Sequence, residues 1–406
     1  MTAVSDLPDL CVPRPGSTTL RSVLSATLRR ALGDLQAVLR AHARGPLGHD
    51  VAEFCGVVAP LARTQPGALA SAVRRTEIGV WLRCLRPGAP VSVEPQRGVP
   101  ALLANLGLEL ARQGVLPGPL RLRTWPSRVL SSAGRLAISI PDDAIALSFD
   151  AGRMTVERSG GETQTPSLAP SDAAYVALDR SAARLALCDD NPLHALEAHP
   201  DKAGNALDLG AQPVARWRDA LGHALSIIGT HLPALRSEIE LILQQVVPVG
   251  WDEHRHLSAS IEQALGTVYL SLHPNPMTMT EAIIHEVSHQ KLAALFELDP
   301  VLHNAFSDVH VSPVRPDPRP LHGILLAVHA FLPVATLYAA MLEARTPGSE
   351  HPEFRRRFGQ IVKGNRQGAD VLRARAEPTT LGQQLLDEMD ALDRSFDAVM
   401  SDTAHF

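Results

Sequence analysis

The chain has 406 residues, a formal net charge of −5, seventeen histidines and four cysteines, and its length exceeds what a single ordinary core requires, so two or three subdomains are expected. Lysines and arginines are scattered under a net negative charge, which leaves no electrostatic footprint for nucleic acid. No apolar run approaches the roughly 20 residues that span a bilayer, and the polar start lacks a signal-peptide pattern, so the reading is a cytoplasmic protein without a membrane partner.

The first region, 1–119, is helical in pattern, with helices over Thr18 to Ala43, Gly67 to Leu85 and Pro100 to Gln113. Trp81 is expected as a core anchor. Region 120–212 changes character. Short alternating runs at Val129-Leu130, Leu136 to Ile140, Ile145 to Phe149 and Met154 to Val156, separated by Gly, Asp and Pro, predict β-hairpins. Pro192 to Pro213 reads as a surface connection. Region 213–406 opens with one long helix, Ala215 to Val246, followed by a strand over Leu265 to Leu272. Two helices, Glu350 to Ala376 and Thr379 to Met400, close the chain, the second opened by a Thr380-x-x-Gln383 box. Arg355-Arg356-Arg357 and the acidic run Asp387 to Asp390 read as solvated helix faces. Cys11, Cys55, Cys84 and Cys188 contain no CxxC pair and are expected as reduced structural thiols. The fold class is therefore α+β and predominantly helical, with a β-rich middle segment.

The most restrictive chemistry lies in Thr280 to Leu292, which contains His285-Glu286-x-x-His289. Residues i and i+4 share a helix face, so His285 and His289 can hold one metal ion with Glu286 beside it. Thr278 and Glu281 suggest a capping box, and Asp299-Pro300 an end to the helix. A strand leading into such a helix is the arrangement of zincin-like metal sites. A catalytic metal needs a third protein ligand. Gln290 to Leu298 contains neither the Gly nor the His of a longer metzincin signature, and Glu343 lies at the far end of the next helix. That next helix is expected to start at Asp317 as N-cap, with prolines in its first turn. His322 is the favoured third ligand, with Gly323 allowing close approach, and His329, two turns on, is the alternative. His303 and His310 in the intervening loop, and the His254-x-His256 pair, rank below them.

HEVSHQKL together with SPVRPDPRPLHG (Ser312 to Gly323) resembles the HExxH-type 2-oxoglutarate-dependent peptide β-hydroxylases that modify ribosomally made peptides. Members show HE-x-x-H followed by Lys-Leu, then P-W-R-x-D-P-R-P-L opening the next helix. This chain keeps Lys291, Leu292, Pro313, Arg315, Asp317, Pro318, Arg319, Pro320, Leu321 and Gly323, and has Val314 in place of the Trp. The resemblance covers about 60 residues. It implies Fe(II) held by a facial set of three ligands, 2-oxoglutarate and dioxygen as co-substrates, and a precursor peptide hydroxylated at a side-chain β-carbon. The distal carboxylate of the keto acid needs a fixed cation, for which Arg319 and Arg315 are the candidates, although either can instead pair with Asp308 or Asp317. Two other classes remain open. In a zinc peptidase Glu286 would be the general base, whereas in the oxygenase it would orient a ligand or the substrate. A metal-free precursor-peptide-binding protein is the third.

Overall fold

The computed structural model describes residues 7–196, 198–199, 202–311 and 317–403. Five helices come first: α1 Thr19–Ala41, α2 Gly48–Thr64, α3 Pro66–Val73, α4 Thr76–Leu85 and α5 Pro95–Arg112. The predicted helix over Gly67 to Leu85 is thus two, broken at Arg74-Arg75, and α2 went unpredicted. Next come β1 Leu120–Leu122, β2 Arg128–Ser131, β3 Leu136–Ser139, β4 Ala144–Asp150, β5 Arg153–Arg158, β6 Thr163–Gln164, β7 Tyr175–Ala177, β8 Arg184–Ala186, β9 Ala198–His199 and β10 Lys202–Ala203.

The long helix expected over Ala215 to Val246 is also corrected. It divides into α6 Val214–His231 and α7 Pro233–Ile242, because Pro233 cannot donate into the preceding turn and instead opens α7 at its first position. The end of that predicted helix, Gln245 and Val246, instead opens a strand, β11 Gln245–Trp251, whose Val-Val-Pro-Val run suits extended backbone. Then follow β12 Ser258–Ser260, β13 Thr267–Leu272, α8 Pro276–Phe296, β14 Val309–His310, β15 Arg319–Pro320, α9 Leu321–Glu343, α10 Pro352–Arg375 and α11 Thr380–Thr403. Thr379, rather than Thr380, caps α11, its hydroxyl accepting from Gly382 N at 3.0 Å.

The organising layer is a five-stranded mixed sheet in the order β12-β13-β11-β8-β7, drawing strands from both sides of residue 212. β11 runs parallel to β13 and β8, while β12 and β7 are antiparallel edges. β13 is buried at all six positions, so its side chains serve two faces. Val268, Leu270 and Leu272 enter the main core with α6 to α11. Tyr269 points the other way and packs with Tyr175, Ala186 and Val247. A second core joins α2 to α5 with the β1-β4-β5-β6 sheet and the β2-β3 hairpin, and Trp81 lies in it.

α9 corrects the expectation about apolar runs. Its 23 residues are long and apolar enough to cross a membrane, yet 78% of its most apolar window is buried inside the fold. It packs against α8, α10 and α11 as a core helix. Cys11, Cys55, Cys84 and Cys188 are all free thiols, and burial raises each of their pKa values.

Candidate metal centre

α8 begins earlier than the sequence suggested. Its cap is Asn275, whose side chain accepts from Met277 N at 2.9 Å, with Pro276 at the first helical position. The Thr278/Glu281 box does not form, and Glu281 instead accepts from Tyr338 and Arg357. Fourteen of the 21 residues of α8 are buried, so tertiary contacts fix its rotation. Gln290 accepts from Gly266 N at 2.7 Å, tying the helix to the turn that starts β13. That turn requires glycine: Gly266 has φ +97°, and a Cβ there would lie 2.7 Å from the Gln244 side chain.

Lys291, from the Lys-Leu following the motif, is buried. Its ammonium donates to Glu238 on α7 at 2.9 and 3.2 Å and to the Asp9 carbonyl at 2.9 Å. The residue therefore locks α8 to α7 and to the N-terminal segment rather than reaching a ligand.

His285, Glu286 and His289 bring one ligand atom each within 4.8 Å of one another. The two imidazoles meet edge to face at 4.3 Å. Burial, then the neighbouring His285, pushes the His289 pKa down to about 3, so it is neutral near pH 7, the form a metal requires. Its Nδ1 is buried without a hydrogen-bond partner. An orphaned imidazole nitrogen beside a second histidine fits a bound metal ion better than it fits a satisfied core histidine.

Glu286 is only 2% exposed. Ser258 and Ser260, both on the edge strand β12, donate hydroxyls to its Oε1 and Oε2 at 2.6 and 2.7 Å. His285 Nδ1 lies 3.1 Å from Oε1. Burial alone would raise this carboxyl, but the hydrogen bond from His285, the two imidazole charges and Ser258 outweigh it and hold the pKa at about 2. With Nδ1–H donated to Glu286, Nε2 of His285 is the nitrogen left for a metal.

The favoured third ligand, His322, lies outside this 4.8 Å group. Its ring stacks between Phe296 and Phe306, with centroids at 4.9 and 4.8 Å, and its amide donates to Ala305 O at 3.0 Å. Its charge contributes to the depressed pKa of His289, so the two rings share one region, and burial keeps His322 itself below the usual histidine range. The alternative, His329, is fully buried and pairs through Nε2 with the Leu10 carbonyl at 3.1 Å, while its Nδ1 has no hydrogen-bond partner and its charge lowers the pKa of His289 more than that of His322 does. His256 Nδ1 meets Ser271 Oγ at 3.2 Å, His303 and His310 join no metal-type group among the described residues, and His254 sits beside Glu253.

The expected helix start at Asp317 is corrected. Arg319–Pro320 pairs as a strand with Val309–His310, and α9 begins only at Leu321, because Pro318 and Pro320 bias the residues before them towards extended backbone. Asp317 takes an ion pair from Arg319, Nε to carboxylate 2.7 Å. The Arg319 stem lies over Gly323, where a Cβ would sit 3.4 Å from it. Arg315 falls outside the described residues.

Arg357 was misread as a solvated face. It donates twice to Glu281, one turn before His285, and lies 6.0 Å from the Phe331 ring, which itself sits 4.8 Å from His285. The signal was present in the sequence: Phe354, Phe358 and Ile361 mark the inward face of α10, and position 357 falls on it. Glu388 likewise turns inward and accepts from Cys11 N at 3.1 Å.

Compared with known proteins, the chain matches no protein-family model and no curated protein.

Proposed function

We propose that this chain is an Fe(II)- and 2-oxoglutarate-dependent oxygenase that hydroxylates a β-carbon in a ribosomally made precursor peptide, acting in the cytoplasm. The observation that carries the choice between oxygenase and zinc peptidase is the state of Glu286. A peptidase base must face the metal-bound water with a proton affinity suited to neutral pH. Glu286 is buried, and both of its carboxylate oxygens already accept serine hydroxyls, at 2.6 and 2.7 Å, an arrangement that suits an orienting group.

His285 and His289 are the metal ligands in this reading, with His322 the third through a change in its ring position. Bound there, Fe(II) supplies the redox centre at which dioxygen and the keto acid react, 2-oxoglutarate being decarboxylated to succinate as one oxygen atom passes to the peptide. Glu286 fixes the ring of His285. Phe296 and Phe306 pack against the ring of His322, and Phe331 against that of His285. The keto acid's distal carboxylate goes to Arg319 or Arg315, and Arg357 is a further candidate because it already stands beside Phe331. A zincin-like relation supports the same reading: a buried strand, β13, precedes α8, and an antiparallel edge strand braces the motif glutamate.

The test is anaerobic reconstitution with Fe(II) and optical titration with 2-oxoglutarate. A saturable visible charge-transfer band, absent from His285→Ala, is expected. No band, with tight zinc and cleavage of test peptides, would select the peptidase.

A further inference from the structure

We infer that the cleft where the α3–α4 turn meets the end of the central sheet is an anion site that takes a phosphate group. Arg74 and Arg75 form the break between α3 and α4, and Arg184 opens β8; all three line one cavity of about 70 Å³ with Ser132, Glu240 and Gln244. The site is separate from the metal centre and independent of the function proposed for it.

The guanidinium of Arg184 is fixed from one side. Its Nη1 donates to the carbonyls of Ser181, Ala182 and Ala183 at 3.2, 2.8 and 3.0 Å. Its Nε is buried with no hydrogen-bond partner, and so is the Nε of Arg75. A buried donor without an acceptor is costly, and two such donors lining one cleft call for a shared acceptor.

The nearby carboxylates do not fill that role. Glu240 already accepts from Ser181 Oγ and Ala182 N, each at 2.7 Å, and from Arg236. Glu109 stands 3.8 Å from Arg75, outside hydrogen-bond range, with its oxygens taken by Arg112, Gln113 and Ser131. The guanidiniums also repel one another: after burial, Arg135 and Arg75 are the charges that lower the pKa of Arg184.

The donors are single N–H groups on separate elements rather than the parallel fork of one arginine. A carboxylate suits a fork, whereas a phosphate, with oxygens facing several directions, suits donors arriving from several elements. Gln244 spans the same seam, donating to Arg74 O at 2.9 Å and accepting from Thr76 N at 3.3 Å. An anion bound here would therefore tie the N-terminal helices to the sheet.

The test titrates the full-length, metal-free protein with inorganic phosphate, pyrophosphate and succinate at constant ionic strength, by calorimetry and thermal denaturation. Saturable phosphate or pyrophosphate binding with a rise in Tm is expected. Arg184→Gln and Arg75→Gln should each weaken it about tenfold, as loss of one charged donor implies. Because Arg184 also holds three carbonyls, Arg74→Gln, at an exposed position, supplies a variant with little bearing on the fold and should weaken binding several-fold. Metal affinity at His285 and His289 should stay unchanged in all three. No saturable binding up to about 10 mM of either phosphate, or wild-type affinity in the arginine variants, overturns the site. Succinate binding as tightly as pyrophosphate overturns the choice of phosphate.

Discussion

Ser258→Ala and Ser260→Ala test the role of Glu286 without touching a metal ligand. Each removes one hydroxyl donor, at 2.6 or 2.7 Å, from a carboxylate that is 2% exposed. Losing a hydrogen bond to a buried charge costs roughly 1.5–3 kcal/mol. At about 2 °C per kcal/mol in a chain of this size, Tm of the metal-free protein should fall by roughly 3–6 °C for each variant at pH 7. The sign with pH follows from the depressed pKa. Stabilisation through Glu286 is complete above its unfolded value and is lost as pH falls towards about 2, so the gap between variant and wild type should close over that acidic window. His285 loses its fixed partner at the same time, and metal affinity should drop about 10–100-fold, the usual cost of disturbing a ligand's support. Thermal denaturation and a competitive metal titration read both effects. If both variants keep wild-type Tm and metal affinity, Glu286 does not orient His285 and the reasoning fails.

Other expectations follow from the same geometry. His285→Ala or His289→Ala should abolish stoichiometric metal binding while leaving the fold intact, as checked by equilibrium dialysis and circular dichroism. His322→Ala should reduce metal affinity by more than about tenfold if the ring moves onto the metal, whereas removal of an aromatic stack alone would cost only about 1 kcal/mol of stability and nothing in affinity. Lys291→Met should destabilise by about 3–5 kcal/mol, because it strands Glu238 as an unpaired buried carboxylate, and urea unfolding measures it. Metal-free protein should lose stability as pH falls below the unfolded histidine range, since His329 and His289 stay neutral in the fold down to about 4 and 3. Bound metal should deepen that loss by holding His289 neutral. Arg319→Ala and Arg357→Ala should differ in the 2-oxoglutarate concentration they require, and the anchor is the one that raises it by about tenfold or more.

The sequence announced the motif helix and its preceding strand, because both carry strong local signals: a β13 rich in branched and aromatic residues and a metal-ligand pair at helical spacing. It also implied the hairpin-rich middle. What it hid were features set by long-range contacts. Gln245 and Val246 read as helix by continuity with the residues before them, yet pairing with β13 and β8 makes them the start of a strand. The serines that hold Glu286 lie 28 and 26 residues upstream in a polar stretch with no motif, and only the placement of β12 beside α8 gives them meaning. Arg357 is 76 residues from Glu281, a separation that no local pattern spans. The third ligand was only half legible: His329 and His322 both act on His289, the first bonded to the Leu10 carbonyl through Nε2 and the second stacked between two phenylalanines, and neither joins the His285-Glu286-His289 group.

The central claim is oxidative turnover of 2-oxoglutarate at the His285/His289 centre. The most direct measurement is succinate formation by NMR, with Fe(II), dioxygen and 2-oxoglutarate, in wild type and His289→Ala. The account predicts succinate from the wild-type protein, none from the variant, and persistence of the signal in Glu286→Gln, which keeps the shape of the orienting group. Absence of succinate from the wild type, accompanied by zinc-dependent peptide cleavage that Glu286→Gln abolishes, would contradict it.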